Sequence, residues 1–220
     1  MKVKLISYSK PTEDVNSEGI EDAQELVAFC ARVSNPSNQL NTETSEKLIS
    51  YLIKNAHWSP LEMVSACLEI ETTRDIARQM LRHRSFSFQE FSQRYANPVK
   101  DLEFVTREAR MQDPKNRQNS IETDNSVIAD EWVTKQNEVI ETATKAYNWA
   151  IESGIAKEQA RSVLPEGNTV SRLYMNGTLR SWIHYIQLRA ANGTQKEHME
   201  IANACAEVIN KIFPMGENLS

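Results

Sequence analysis

Residues 64–84, VSACLEIETTRDIARQMLRHR, contain a change of hydrophobic period. In their first half, polar residues alternate with apolar ones, which are Val64, Ala66, Leu68 and Ile70. This alternation predicts a half-buried strand. After Thr73, a residue type that favours helix N-caps, the spacing becomes that of a helix, which we predict over residues 74 to about 83. The segment therefore predicts a strand that passes directly into a helix.

The flanking sequence adds more helices than strands. Further extended segments are predicted at residues 2–9, 85–92 and 169–175. Helices are predicted at residues 21–33, around residues 48–53, and at residues 127–153, 157–164, 178–191 and 195–213. The strands are too few and too far apart for a regular βαβ series. We therefore expect an α+β fold with a small mixed or antiparallel sheet flanked by helices.

The composition of the whole chain is that of an ordinary globular protein. It has 220 residues, a formal net charge of −5 and 40% hydrophobic residues. We expect a single domain over residues 1–220, with a polar, turn-rich surface excursion at residues 100–125. Its apolar runs are far shorter than the roughly 18 residues that a membrane-spanning helix needs, and residues 1–6 lack a signal-peptide core. We therefore expect a cytoplasmic protein with no membrane partner, and the negative charge argues against a nucleic-acid partner.

Two common kinds of site are not expected. The three cysteines, Cys30, Cys67 and Cys205, are odd in number and far apart, so they predict buried, inert thiols rather than disulfides or a metal site. The six glycines cannot form a GxGxxG motif or a P-loop. Any nucleotide is therefore bound without these motifs, and no metal is expected.

Arginine and lysine are segregated along the chain. Residues 55–99 and 158–195 contain no lysine, yet they hold nine of the thirteen arginines. A planar guanidinium group binds phosphate or a carbonyl edge bidentately in a partly buried site, which an ammonium group does poorly. The two segments therefore predict binding of phosphorylated ligands. For any single arginine, a surface ion pair is the alternative.

Three arginines of the helix predicted after Thr73 share one face, because Arg74, Arg78 and Arg82 are spaced four residues apart. Like charges at this spacing repel each other by roughly a few tenths of a kcal/mol per pair. We therefore expect an anion among them. On another face, the helix is expected to pack inward through Ile76, Met80 and Leu81.

Residues 82–95, RHRSFSFQEFSQRY, hold the densest set of binding side chains in the chain. Arginines suit phosphate, amides and hydroxyls suit the edges of a heteroaromatic ring, and aromatic rings suit stacking. The set predicts a phosphorylated ligand that carries a heteroaromatic ring. Two alternatives are an arginine-rich helix edge followed by a strand, and a module for single-stranded nucleic acid, in which aromatic rings interleave with Arg84 and Arg94.

The same segment resembles the signature of the flavin-dependent thymidylate synthases, in which Arg-His-Arg is followed after seven residues by Ser, here residues 82–84 and Ser92. Other blocks similar to the family, and in its order, are residues 31–34 (ARVS), 57–62 (HWSPLE), 77–79 (ARQ), 161–165 (RSVLP), 180–184 (RSWIH) and 189–191 (RAA). The resemblance spans nearly the whole chain. Such an ordered set is far more specific than the Arg-His-Arg triplet alone.

The resemblance implies a chemistry and an assembly. It implies the family's fold, a homotetramer with active sites at subunit interfaces, and FAD in a pocket that is not a Rossmann fold. It also implies conversion of dUMP to dTMP, with methylenetetrahydrofolate as the carbon donor and NADPH as the reductant of the flavin. A flavoprotein relative that has lost synthase activity is a further alternative.

The family motifs also imply binding residues in this sequence. For FAD they are Ser34, Ser59, Glu62, Arg82, His83, Arg84, Glu90, Arg180 and His184. For dUMP they are Gln79, Arg82, Glu90, Phe91, Ser92, Gln93, Arg94, Arg161 and Arg189. His57 is implied in the vicinity of the folate and the flavin. Arg189 is the implied catalytic residue, a fixed cation that stabilises negative charge on the pyrimidine.

Helical spacing adds an independent expectation. Arg180 and His184 are four residues apart and share a face, whereas Arg189 lies about 180° around the helix from Arg180. Arg180 and Arg189 should therefore not bind the same group.

None of the cysteines lies in an electropositive motif, so the sequence offers no thiolate nucleophile, in agreement with the implied chemistry.

Other conspicuous side chains have plainer interpretations. His198 lies between Glu197 and Glu200 and is expected to be solvated. Apart from the resemblance, His57 would be interpreted as a cap or a surface residue. The tryptophans expected in the core are Trp132, Trp149 and Trp182.

Overall fold

The computed structural model describes residues 2–214, so Met1 and residues 215–220 of the predicted domain lie outside the described residues. Its strands are β1 (Lys2–Tyr8), β2 (Ser65–Thr73), β3 (Ser87–Glu90), β4 (Arg110–Gln112), β5 (Ser120–Glu122) and β6 (Val170–Thr178). Its helices are α1 (Glu13–Ser17), α2 (Ala23–Ala31), α3 (Ser45–Lys54), α4 (Arg74–Met80), α5 (Pro98–Asp101), α6 (Ser126–Glu152), α7 (Lys157–Ala160), α8 (Leu179–Arg189) and α9 (Lys196–Ile212). The predicted α+β class, with helices outweighing strands, is confirmed.

Four strands form one sheet in the order β1-β2-β6-β3, and β4 and β5 form a separate hairpin. Two backbone hydrogen bonds flank the β2–β6 pair, from Leu179 N to Val64 O and from Arg74 N to Thr169 O, each 2.9 Å long. The start of each strand therefore lies beside the end of the other, as in an antiparallel pair. The β4–β5 hairpin is antiparallel as well. The sequence leaves a mixed and an antiparallel sheet open, and these strand pairs are antiparallel.

The strand β2 passes directly into α4, as the change of period at Thr73 predicts. Thr73 occupies the N-cap position, but its side chain makes no capping bond. Its hydroxyl instead accepts a hydrogen bond from Arg107 Nη2 at 2.8 Å. The helix ends at Met80 rather than near residue 83. Leu81 is therefore exposed and does not pack inward, contrary to the prediction.

The chain divides into two compact units. The first unit consists of the described residues up to Ile70, His83–Phe88, and the described residues from Tyr174 onward. Its core includes Trp182, which is fully buried and whose indole N–H donates to Ala66 O at 3.0 Å. The second unit consists of Glu71–Arg82 and Gln89–Leu173. Its buried cluster is formed by Tyr147, Ala150, Ala160 and Leu164.

The long helix α6 is packed along a single stripe. Its buried side chains are Gln136, Ala143, Tyr147 and Ala150. Trp149 is turned about 100° from Ala150 around the helix and is 64% exposed. Trp132 is 45% exposed in the N-terminal half of the helix, where Val133 is exposed too. The prediction that both tryptophans lie in the core is therefore wrong, whereas the prediction for Trp182 is confirmed.

All three cysteines are predicted to be buried, and this is confirmed in full for Cys205 alone. Cys30 and Cys67 are half-buried, and Cys67 points to the less buried face of β2, between Ala66 and Leu68. Burial raises the pKa of all three thiols, so they stay protonated and weakly nucleophilic. Separately, no helix between residues 2 and 214 is both long enough and apolar enough to cross a membrane.

Candidate active site

In the first unit, the segment after α3 meets one face of α8. The rings of Trp58 and His184 pack edge-on, with centroids 4.4 Å apart. One helical turn earlier, Arg180 forms an ion pair with Glu62. Arg180 and His184 thus share a face, as their spacing predicts. The structure brings these two candidate FAD residues together with a third, Glu62.

The local sequence explains how residues 57–62 reach α8. A 3-10 turn over Ser59–Glu62 has Pro60 near its start, where the missing N–H of proline breaks no hydrogen bond. Leu61 is fully buried and anchors the turn. Ser59 and Glu62 are left exposed on its outer side. His57, just before the turn, is exposed and packs edge-on against Tyr51.

The surroundings of His184, an exposed residue, favour its neutral form. Burial, and secondarily the positive charge of Arg180, lower the pKa of His184. A neutral imidazole offers one donor and one acceptor without adding charge. This face of α8 therefore presents a cation balanced by Glu62 and, one turn away, an uncharged aromatic group.

A polar cluster of two buried and two half-buried residues lies on another face of α8. Arg189 Nε donates to His83 Nε2 at 3.0 Å, and the Tyr185 hydroxyl lies 3.2 Å from His198 Nε2. The rings of His83 and Tyr185 pack edge-on with centroids 5.0 Å apart. Arg180 and Arg189 have different partners, as the helical spacing predicts. The sequence analysis did not single out Tyr185 as a functional residue.

The prediction that His198 is solvated is wrong, because its side chain is fully buried. The residue lies three positions before Ile201 and seven before Cys205, on the buried stripe of α9. That helical spacing was the available signal, whereas the flanking glutamates pointed the other way. Burial, followed by the charge of Arg189, lowers the pKa of His198 to about 4. His198 is therefore neutral at pH 7.

In the second unit, two carboxylates lie among the arginines of α4. Glu166 accepts from Arg78 Nε at 2.8 Å and lies 3.8 Å from Arg74 Nε. Glu90 accepts from Ser171 Oγ at 2.7 Å and lies 3.5 Å from Arg74 Nη1. The hydrogen bond to Glu166 raises the pKa of Arg78. The anions found beside Arg74 and Arg78 are thus carboxylates of the chain itself, and of the two only Glu90 is among the candidate residues predicted from the sequence.

Two candidate nucleotide residues of the second unit meet at α7. Arg94 Nη2 lies 3.3 Å from Glu158 Oε2. Arg161 Nε donates to the backbone oxygen of the same glutamate at 3.3 Å. The second unit thus places these two guanidinium groups beside one residue. Most of the charge on Arg94 stays accessible, because its side chain is 61% exposed.

The remaining candidates occupy varied environments. Ser34 lines a surface cavity of about 470 Å³, together with Arg32 and Lys47. The exposed candidates are Arg82 and Arg84, and the half-buried ones are Gln79, Phe91 and Ser92. Gln93 is buried.

The polar groups of the first unit suit a large aromatic cofactor with phosphate groups. Arg84 and Arg180 offer guanidinium groups for phosphate, and Trp58 and His184 offer flat rings. Arg189 is half-buried and has no carboxylate partner within residues 2–214. This set of donors and rings fits FAD. In the same range, no group of three or more His, Cys, Asp or Glu side chains could hold a metal ion.

Comparison with known proteins gives matches over nearly the whole chain. The family model described as thymidylate synthase complementing protein (Thy1) matches residues 16–215. A protein of Paramecium bursaria Chlorella virus 1, described as a "Probable flavin-dependent thymidylate synthase", is 50% identical over 214 residues, 97% of this chain and 96% of that protein. A flavin-dependent thymidylate synthase of Synechocystis sp. is 49% identical over 215 residues, 97% of this chain and 96% of that protein.

A solved structure is similar over the same extent. It is a UMP/dUMP methylase, PolB from Streptomyces cacaoi, bound with 5-Br dUMP. The TM-score is 0.80 at 27% sequence identity, and the match covers 97% of this chain and 91% of that chain. The similarity therefore extends over the fold as a whole, and not over the arginine-rich motif alone.

Proposed function

The chain belongs to the flavin-dependent thymidylate synthase family, and on this premise we propose that it converts dUMP to dTMP by reductive methylation. Methylenetetrahydrofolate supplies the carbon, and NADPH supplies the reducing equivalents through FAD. The observation that carries the proposal is Arg189, a half-buried arginine without a carboxylate partner in residues 2–214, at the family's pyrimidine-activating position. Such a cation is available to a ligand.

We assign the binding of FAD to residues with two kinds of side chain, arginines for its phosphates and polar or aromatic groups for its rings. They are Ser34, Ser59, Glu62, Arg82, His83, Arg84, Glu90, Arg180 and His184. The ion pair with Glu62 holds the Arg180 side chain in one place, and neutral His184 adds no charge. When bound, FAD would supply hydride chemistry between NADPH and the one-carbon unit.

We assign the binding of dUMP to a second set, which is Gln79, Arg82, Glu90, Phe91, Ser92, Gln93, Arg94, Arg161 and Arg189. Arg94 and Arg161, both beside Glu158, supply positive charge for the phosphate. The Glu90 carboxylate is fixed by Ser171 and Arg74, so it accepts hydrogen bonds from a ligand hydroxyl at a defined place. Arg82 and Glu90 belong to both sets.

The role of Arg189 follows from its charge. Arginine stays protonated in proteins, so it cannot take a proton from uracil, but it stabilises negative charge at N3 and O4. This stabilisation makes C5 electron-rich enough to form a bond to the methylene carbon, while the bonds from that carbon to the folate nitrogens break and their electron pairs stay on nitrogen. C5 releases its proton to solvent, and a hydride completes the methyl group. The cysteines support a route without a thiolate, because burial raises the pKa of Cys30, Cys67 and Cys205.

We further propose that the enzyme acts as a homotetramer with active sites shared between subunits. Large exposed apolar side chains support association, and on α6 they include Val127, Trp132 and Trp149. We also propose the cytoplasm as its compartment, because cytoplasmic proteins keep free thiols, and the three cysteines of this chain are free.

The first experiment is NADPH oxidation by the FAD-loaded protein, with and without dUMP. We expect dUMP to accelerate oxidation in the wild type. We expect R189K to lower kcat/KM for dUMP by about a hundredfold, because lysine keeps the charge but loses the planar fork. The matched control is R117K, at an exposed arginine outside both sets, which should behave as the wild type.

Two outcomes would contradict the proposed function. A yellow protein that produces no dTMP would be a flavoprotein relative without synthase activity. A colourless protein that takes up no added FAD, but binds single-stranded DNA with a steep salt dependence, would be a nucleic-acid-binding module.

A further inference from the structure

Tyr185 and His198 form a buried pair to which the proposed function gives no role. Tyr185 is 1% exposed and His198 is fully buried. Burying a polar group costs free energy unless it is hydrogen-bonded, whereas apolar residues would fill the same space without needing a partner. Tyr185 lies on α8, one turn before the candidate catalytic residue, Arg189.

Arg189 is held by one edge of its guanidinium group. It has five N–H donors, and the one on Nε is used on His83 Nε2 at 3.0 Å. In the part of the chain that the structure describes, its two terminal amino groups donate no hydrogen bond to the protein. These amino groups form the end-on fork that suits two neighbouring acceptors, such as N3 and O4 of a pyrimidine.

The hydrogen bond from Arg189 also selects the protonation state of His83. An arginine can only donate, so His83 Nε2 must be without a proton in order to accept. The neutral ring therefore carries its proton on Nδ1. A protonated His83, or its other neutral tautomer, would place an N–H against the N–H of Arg189 and release the side chain.

The Tyr185 ring packs against the His83 ring and restricts its orientation. Tyr185 and Arg189 lie one turn apart on α8, so the same face of the helix presents both to His83. The two rings meet edge-on, with centroids 5.0 Å apart and an angle of 83° between their planes. The Tyr185 ring is restrained at one end by its own backbone. At the other end its hydroxyl contacts His198 on α9 at 3.2 Å.

We propose that Tyr185 and His198 are positioning residues that hold His83 as the Nδ1–H tautomer. In this tautomer His83 accepts the hydrogen bond from Arg189 Nε, and this bond orients the two terminal amino groups of Arg189 toward the pyrimidine. The part that concerns the pyrimidine rests on the proposed function, whereas the tautomer of His83 does not. Burial and the neighbouring charge of Arg189 lower the pKa of His198, which keeps a second cation away from Arg189.

The first test is nitrogen NMR of the histidine rings in the protein without substrate. The chain has four histidines, so each ring can be assigned by substituting one at a time. In the wild type we expect the Nδ1–H tautomer at His83. In Y185F, which keeps the ring but removes the hydroxyl, we expect a mixture of both tautomers. The control is Y147F, which removes a buried hydroxyl without a hydrogen-bond partner and should leave the His83 signals unchanged.

The second test is kinetic and uses the same variants, loaded with FAD. We expect Y185F and H198L to lower kcat/KM for dUMP about tenfold, the effect of losing one buried hydrogen bond, with unchanged FAD content. H198Q can still hydrogen-bond the Tyr185 hydroxyl through its amide, so we expect it to stay within about twofold of the wild type. Y147F should match the wild type.

The outcomes of the two tests either uphold or overturn the proposed positioning of Arg189. The Nε2–H tautomer at His83 in the wild type would overturn the proposal, and so would a Y185F variant that matches Y147F in both tests. If Y185F does not fold, H198L and H198Q provide the same comparison, and equal behaviour of these two would overturn it. If the wild type makes no dTMP but shows the expected tautomer and its response to Y185F, the proposed function fails while the positioning of Arg189 is upheld.

Discussion

Acidification is expected to destabilise the fold through one buried side chain, His198. Burial, together with the charge of Arg189, lowers its pKa from 6.5 to about 4. Between these pH values the unfolded chain binds a proton at this histidine and the folded protein does not. The free energy of unfolding therefore falls as the pH falls through this range. The contribution is present in full above about pH 6.5 and is lost progressively toward pH 4.

The magnitude follows from the shift of the His198 pKa. Each pH unit inside the window changes the free energy of unfolding by about 1.36 kcal/mol. Almost none of the loss occurs above pH 6.5, so a change from pH 7 to pH 5 costs about 2 kcal/mol. This loss is a large fraction of the roughly 5 to 15 kcal/mol that typically stabilises a folded protein.

The assay is chemical denaturation at pH 7 and at pH 5, with the protein concentration held constant. H198Q removes the titrating group and keeps a hydrogen-bonding partner for Tyr185, so it should lose about 2 kcal/mol less than the wild type on acidification. H57Q, at an exposed histidine, is the matched control and should lose as much as the wild type. Equal losses in H198Q and the wild type would refute the reasoning.

Two other substitutions test packing and charge. G177A is expected to cost about 1 to 3 kcal/mol of stability, because a Cβ at Gly177 would lie 2.4 Å from the Phe86 ring. A melting temperature equal to that of the wild type would contradict this expectation. E166Q is expected to cost about 0.5 to 1 kcal/mol, because Arg74 and Arg78 lose the carboxylate between them and repel each other. This second loss should shrink in 1 M salt, and a loss independent of salt would speak against a charge effect.

Local patterns predicted much of the fold. The alternation before Thr73 and the four-residue spacing after it predicted β2 and α4, because side-chain direction depends on backbone geometry over a few residues. The same reasoning placed Arg180 and His184 on one face of α8. These features involve neighbours in sequence, so the spacing of residue types contains the information.

Contacts between distant residues could not be predicted in this way. Glu166 pairs with Arg78 across 88 residues, and no local spacing relates them. The burial of His198 depends on the packing of α9 against α8, which overrides the polar glutamates beside it. Trp149 is large and apolar, yet it lies outside the buried stripe of α6. Residue type alone therefore misjudged both His198 and Trp149.

The most direct test of the central claim uses dUMP labelled with tritium at C5. The protein is incubated with FAD, NADPH and methylenetetrahydrofolate, and tritium in water and dTMP are both measured. We expect tritium release in a one-to-one ratio with dTMP and dependent on each of the added components, because methylation at C5 must displace the proton there. FAD-loaded protein that oxidises NADPH but releases no tritium and forms no dTMP would contradict the account.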